Sequence, residues 1–319
     1  MANGFDVLTP GVYTTLQDAG RFGFEDRGVP PSGAMDEMSF AIANALVGNT
    51  EAMGALEFTL TGATLRLTGN ASCRFAVTGD MHMTLDDVAL PPYCRHRMQP
   101  GSTLRVIRAR SGYLAVAGGF AIAPVMGSVS TLARAALGGF NGRPLQKGDW
   151  LTLAATQHAG PPTDSLPVQQ LMPQRERRPI RVVAGPQQTH FSPAGVASFL
   201  AGEYRVSGES DRMGYRLSGP PVPHLQGFNI VSDAIYRGSI QIPGNGQPII
   251  AMNDRQTTGG YPRIATVIRA DLARLGQQKP GDSLRFELVS VEKAESLWIG
   301  RHQHLQSWLA ELREVAQLG

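Results

Sequence analysis

Between residues 55 and 117 the chain is cut by turn signals every eight to twelve residues, and the pieces between them are short and apolar-rich. The pieces are Ala55–Thr59, Thr64–Thr68, Cys73–Thr78, Met83–Leu85, Thr103–Arg108 and Gly112–Ala117. Segments this short are too brief for helices with a buried stripe. Strands of this length and spacing build barrels and sandwiches. The 37 Gly and 22 Pro among 319 residues carry the same punctuation along the whole chain. A mainly β fold with a few helices follows. The hydrophobic share of 42% is enough for a real core and argues against disorder.

Helices are expected at three places. Asp36 can N-cap a helix over residues 36–48, with Glu37 at its positive end and Gly48 at its close. Ser192 followed by Pro193 opens a second, running to about Ala201. From Val291 to Leu318, Ala294, Leu297, Trp298, Leu305, Trp308, Leu309 and Leu312 fall roughly at helical spacing. That tail either packs on the body of the protein or docks on a partner.

The chain also repeats itself. Lys147-Gly148-Asp149-Trp150-Leu151-Thr152-Leu153 and Pro280-Gly281-Asp282-Ser283-Leu284-Arg285-Phe286 each place a Gly-Asp turn before an alternating strand. Pro100-Gly101-Ser102-Thr103-Leu104-Arg105-Val106 is a weaker third copy. Two related β-rich halves are expected: residues 1–158, then a Pro-rich linker at 159–179, then 180–290, with the tail helix at 291–319.

Several functional classes are disfavoured. Net charge is +3, from 26 Arg and three Lys against 26 acidic residues, and the longest basic run is Arg175–Arg178, a weak basis for nucleic-acid binding. Cys73 and Cys94 do not make a disulfide framework and read as reduced thiols of a cytoplasmic protein. The N-terminus lacks a signal-peptide pattern, and no apolar run is long enough to span a membrane. There is no P-loop, no Gly-x-Ser-x-Gly elbow and no metal-ligand spacing among the seven His.

What remains is acid, guanidinium and amide chemistry in three polar loops. The richest, Asn253 to Pro262, lies between two apolar segments and holds Asp254, Arg255, Gln256, two Thr, two Gly and Tyr261. A second holds Asp211 and Arg212, and a third holds Gln17, Asp18 and Arg21, continuing to Ser32 and Asp36. Arg suits bidentate grip on a carboxylate, and a neighbouring carboxylate can orient a nitrogen donor or move a proton. Each pair also reads as an ion pair that only braces its loop.

Four ordered motifs carry a resemblance. They are Thr14-Thr15-Leu16-Gln17-Asp18-Ala19-Gly20-Arg21, Gly28-Val29-Pro30-Pro31-Ser32-Gly33-Ala34-Met35-Asp36, Glu209-Ser210-Asp211-Arg212-Met213-Gly214-Tyr215-Arg216 and Asp254-Arg255-Gln256-Thr257-Thr258-Gly259-Gly260-Tyr261-Pro262. Together the chain resembles the biotin-dependent carboxyltransferase family, whose members are also described as the second component of allophanate hydrolase. That family includes the C component of bacterial 5-oxoprolinase, KipA-type proteins and the carboxyltransferase region of urea carboxylase. The resemblance implies two cyclophilin-like β-barrel domains and a B-type, KipI-like partner, joined by an A-type component in the 5-oxoprolinase case. It implies ATP-dependent opening of 5-oxoproline to glutamate, with ATP bound with or by a partner. Biotin enters only if the chain instead carboxylates a urea-like amide, and a KipA-type regulatory binder is a further alternative. On this reading Asp254, Arg255 and Gln256 are the catalytic candidates. Tyr261, Asp211, Arg212, Gln17, Arg21 and Ser32 are the substrate-binding candidates.

Overall fold

A computed structural model of the chain describes residues 2–154 and 178–318. It is mainly β, as expected, and its strands form one sheet of nine strands and one of eight, with a two-stranded ribbon besides. The chain divides into two compact units. The first comprises residues 1–21, 32–174 and 305–319, and the second comprises 22–31 and 175–304. The linker expected over 159–179 falls almost wholly on residues 155–177, outside the described residues.

In the first unit, strands β1 (Gly4–Thr9) and β2 (Tyr13–Gln17) come first, and β3 (Ala55–Thr59) and β4 (Thr64–Thr68) lie where the pattern places them. Two strands are longer than expected: β5 (Cys73–Leu85) and β8 (Thr103–Val116) each read as two in the sequence. They pair antiparallel along their length, with register shifts at Gly79/Met81 and His82/Met83. Each shift throws the apolar alternation out of phase, so one bulged strand imitates two. The short β6 (Val88–Leu90) and β7 (Cys94–Met98) pair with β5, and β9 (Trp150–Thr152) pairs with β1. Phe5, Leu56, Phe58, Leu65, Phe75 and Leu114 are among the fully buried side chains of this core. Both cysteines are free and buried, and burial pushes the Cys73 thiol up to about 12.

Helix α1 (Glu37–Leu46) is capped by Asp36, whose carboxylate accepts from the Met38 and Ser39 amides. Its start is tied into a buried polar network that the sequence did not reveal. Glu57 accepts from the Tyr113 hydroxyl at 2.7 Å and the Met35 amide at 2.8 Å, the Asp36 amide donates to the Tyr113 oxygen, and Ser39 donates to Asp36. Burial, then the Glu57 and Asp36 charges, holds Tyr113 well above the usual phenol range, which keeps it a neutral donor.

In the second unit the sheet runs through β11 (Tyr204–Val206), β12 (Gly214–Ser218), β15 (Ile249–Ala251), β14 (Ser239–Gln241), β17 (Arg263–Val267) and β10 (Ile180–Ala184). Its two ends are β18 (Ser283–Leu284), on β11, and β19 (Phe286–Leu288), on β10. These two are one run of chain interrupted at Arg285, so a single strand closes the order into a barrel. Val182, Val206, Ile240, Ile250, Ile264 and Phe286 are buried in this unit.

Helix α2 (Pro193–Ala201) starts at Ser192 as expected, its hydroxyl accepting from the Gly195 amide. Helix α3 (Arg269–Gly276) went unpredicted, because Ile268 at its N-cap offers no side-chain cap to mark the start. Residues 229–232 form no strand, and Val231 there is 90% exposed. Pairing begins only at β13 (Asp233–Ala234), which joins β16 (Thr258–Gly259).

Helix α4 spans Val291–Leu318. Its residues through His304 group with the second unit, where the Arg269 guanidinium lies 4.1 Å over the Trp298 ring. Its residues from Leu305 group with the first, and there Leu309 and Leu312 are buried in one cluster with α1 residues Phe40 and Ile42. The apolar stripe is thus used for packing within the chain.

The Gly-Asp repeat is a repeat of structure too. Gly148 donates its amide to the Val7 carbonyl at 2.9 Å while Val7 donates back to Asp149 at 2.9 Å. Gly281 does the same with Val206, whose amide returns to Asp282, both at 2.9 Å. Gly101 donates to Leu67 at 2.7 Å, and Leu67 donates to Ser102 at 3.0 Å. The three glycines have φ of 89°, 91° and 88°, a left-handed conformation that explains the residue type.

Candidate functional site

The loop from Asn253 to Pro262 leaves the buried strand β15 and returns through β17, so both ends are fixed by sheet hydrogen bonds. Its first residues are held inward. Asp254 donates its amide to the Arg212 carbonyl at 2.8 Å, and Met252 donates to Met213 at 2.8 Å. The side chains repeat the link: Arg212 Nε meets Asp254 Oδ2 at 3.0 Å and Nη2 meets Oδ1 at 3.2 Å, both residues being under 10% exposed. This bidentate pair fixes the two loops in register. Asp211, beside it in sequence, is exposed, and its Oδ1 accepts from the Met213 and Gly214 amides, shaping the turn.

Arg255 is also buried, and its Nε donates to the Ile235 carbonyl at 2.9 Å. Burial lowers its tendency to stay charged, Arg237 adds to that, and Glu25 and Asp254 oppose it. Gln256 is exposed, and Tyr261 is 38% exposed at the far side of the loop. Behind the loop, Arg263 is braced by the Asp233 carboxylate, the Ala234 carbonyl and Gln187 Oε1, the last at 2.9 Å from its Nε. Those partners are remote in sequence, and nothing in the local pattern marks them.

The loop from Gln17 to Asp36 contributes its candidates to the first unit. Gln17, Arg21 and Ser32 are buried there, and Gln17 and Arg21 bond to the protein's own groups. Gln17 Nε2 donates to Thr15 Oγ1 at 3.0 Å and the Thr131 carbonyl at 3.2 Å. Arg21 donates to the Val125 carbonyl at 3.1 Å and the Ser130 carbonyl at 2.8 Å. Asp18 joins the same segment, accepting from Ser128 Oγ and the Val129 amide, each at 2.7 Å. The Gly-rich stretch after residue 125 is therefore moulded around Gln17, Asp18 and Arg21. Ser32 carries φ of 55°, a conformation that costs a non-glycine residue energy and persists only where surroundings enforce it.

The polar loops thus form two clusters, one in each unit, rich in guanidinium and carboxylate groups. Among the described residues no group of His, Cys, Asp and Glu is arranged to hold a metal ion. The family model for the carboxyltransferase domain, subdomain A and B, matches residues 27–288, which takes in Ser32 and the 207–217 and 253–262 loops. The chain belongs to this carboxyltransferase family. Within it, the chain is 39% identical over 292 residues to the C component of the Escherichia coli 5-oxoprolinase, covering 90% of this chain and 92% of that protein. The C component of the Haemophilus influenzae 5-oxoprolinase is 38% identical over 296 residues, 92% of this chain and 93% of its own length. The crystal structure of the Kluyveromyces lactis urea amidolyase superposes with a TM-score of 0.86 at 30% identity. It covers 95% of this chain, which spans only 20% of that larger protein. Members of the carboxyltransferase family are thus components of enzymes, either as separate polypeptides or as one part of a long chain. No helix among the described residues is long and apolar enough to cross a membrane.

Proposed function

We propose that the chain is the C-type component of an ATP-dependent 5-oxoprolinase, opening the lactam of 5-oxoproline to glutamate with A-type and B-type partners. The observation that carries this reading is the end-to-end match to the C component of the E. coli 5-oxoprolinase, which covers 92% of that protein. In this reading the 253–262 loop forms one wall of the substrate cleft. Arg212 fixes Asp254, and the strand pairing beneath fixes Arg255. Arg255 then offers a guanidinium to a carboxylate or a polarised amide oxygen, and Gln256 an amide partner for the lactam. Tyr261 stands at the rim. Gln17 and Arg21 brace the segment after residue 125 in the first unit, and Asp211 shapes its own turn in the second.

ATP is assigned to the complex as a whole. The α1 N-terminus is closed by the Asp36 carboxylate and the α2 N-terminus by Ser192, so neither offers a phosphate cradle. Co-expression with the B-type and A-type partners, followed by ATP hydrolysis with and without 5-oxoproline, tests the proposal. Stimulation by 5-oxoproline is the expected result, and a complex indifferent to every small amide would sink it.

The likeness to urea amidolyase supports a second reading, carboxyl transfer to a urea-like amide with biotin brought by a separate carrier. Urea in place of 5-oxoproline in the same assay, with a biotinylated carrier added, separates the two.

A further inference from the structure

In the second unit, the ribbon of β13 and β16 lays Ile235 against Gly259. The Ile235 amide donates to the Thr257 carbonyl at 2.9 Å, and a Cβ at Gly259 would come within 2.7 Å of Ile235 Cδ1. Gly259 has no left-handed φ, so space and not backbone conformation demands the glycine. Two side-chain amides flank the same point. Gln256 Oε1 lies 3.6 Å from the position of that Cβ, and Gln241 Nε2 lies 3.8 Å from it. With glycine there, residue 259 puts no side chain between them. Neither amide has a hydrogen-bond partner among the described residues. Gln256 is exposed and Gln241 half-buried, so both are reached from solvent.

Gln241 comes to this place through an irregularity of the sheet. Strand β14 pairs with β17 as Ile240 with Ala265 and Gln241 with Arg263, so Ile264 is the extra residue of a bulge. A bulge bends its strand and re-aims the side chains beside it. The next amide, of Ile242, donates to the Pro262 carbonyl at 3.1 Å. Gln241 is thereby pinned beside the returning end of the 253–262 loop.

A carboxamide oxygen accepts and its nitrogen donates, so the pair offers one acceptor and one donor to one place. A lactam or a urea-type amide carries the complementary groups on one edge, an N–H beside a C=O. We infer that Gln241 and Gln256 form an amide clamp across Gly259, with the ligand N–H donating to Gln256 Oε1 and its C=O accepting from Gln241 Nε2. Gln241, outside the three polar loops, is then a specificity-determining residue for amides that keep an N–H next to their carbonyl. This rests on the 253–262 loop being a wall of the substrate site, and holds for either reaction considered above.

Titration calorimetry on the full-length chain tests it, using 5-oxoproline and the lactone analogue in which a ring oxygen replaces the N–H. The wild type is expected to bind the lactam about tenfold more tightly, because the lactone loses one hydrogen bond and sets a ring oxygen against the Gln256 acceptor. Gln241→Leu removes the donor to a carbonyl that both ligands share and should weaken both about tenfold. Gln256→Leu removes the acceptor and should weaken only the lactam, erasing the preference. A general structural defect would not separate the two ligands in this way, and thermal melts verify that each variant is folded. The clamp is refuted if the wild type binds neither ligand or both equally, if Gln241→Leu leaves both unchanged, or if Gln256→Leu keeps the preference. Binding through both amides, in a reconstituted complex that does not turn 5-oxoproline over, keeps the clamp and rejects the 5-oxoprolinase reaction. Turnover with both affinities indifferent to Gln241→Leu does the reverse.

Discussion

Arg212 holds Asp254 through two side-chain hydrogen bonds while its carbonyl accepts the Asp254 amide, so one residue fixes both the backbone and the side chain of the other. Removing one member of a buried ion pair leaves a charge without its partner. Arg212→Ala should therefore cost about 3 kcal/mol of stability, read from urea unfolding. The paired change Arg212→Met with Asp254→Leu should recover most of that loss. If the single variant melts like the wild type, the pair is not what fixes the loops.

Arg255 contributes to ligand recognition more than to folding, since its side chain has one hydrogen bond to the protein among the described residues. Arg255→Ala is expected to reduce turnover by the reconstituted complex about 100-fold, or about 3 kcal/mol of transition-state stabilisation. Near-normal turnover would remove the 253–262 loop from the site.

Asp271 is fully buried in α3 and accepts from the Arg181 amide at 2.9 Å, from Arg181 Nε at 3.1 Å and from Arg274 Nη2 at 3.2 Å. Burial raises its carboxyl pKa, but the Arg181 hydrogen bonds and the Arg274 charge outweigh that and hold it below the ordinary value of 3.8. A carboxyl depressed on folding stabilises above its unfolded value and loses that contribution as the pH falls through the folded one. Asp271→Asn should lower stability at neutral pH and flatten the fall in stability below pH 3.8, measured as unfolding midpoints across the acid range. A variant with the same acid profile as the wild type would rule out this group as a source of acid sensitivity.

Tyr204 is fully buried between Phe199 and Phe286, and its hydroxyl has no hydrogen-bond partner among the described residues. Tyr204→Phe should be neutral or stabilising by up to about 1 kcal/mol, because it removes an unsatisfied polar group and keeps the ring. Gly219→Ala should do the opposite, since a Cβ there would come within 2.6 Å of the Tyr204 ring. Overpacking of that kind costs about 1–3 kcal/mol. Melting temperatures of the two variants should move in opposite directions, or the first not at all.

Much of the fold was legible because it is written locally. Asp36 and Ser192 name their helices, and β3 and β4 carry their own alternation and turns. Where structure depends on distant partners, the local pattern misled or said nothing. The bulges in β5 against β8 split one strand into two, and α3 has no cap residue. The site was legible to the same extent. Adjacent charges marked Asp254, Arg255 and Arg212, but sequence could not say that Arg212 holds Asp254, or that Asp211 serves its own turn.

The strand from Ser283 to Leu288 pairs with β11 at one end and β10 at the other. During synthesis, β10 is made first and waits with an open edge until the chain has grown past Leu288. Such long-range pairing closes slowly, because the loop entropy is lost before the contacts form. The second unit is therefore completed as a ring only after residue 288 has left the ribosome. A chain that stops short of residue 283 keeps two unprotected sheet edges, the usual template for aggregation.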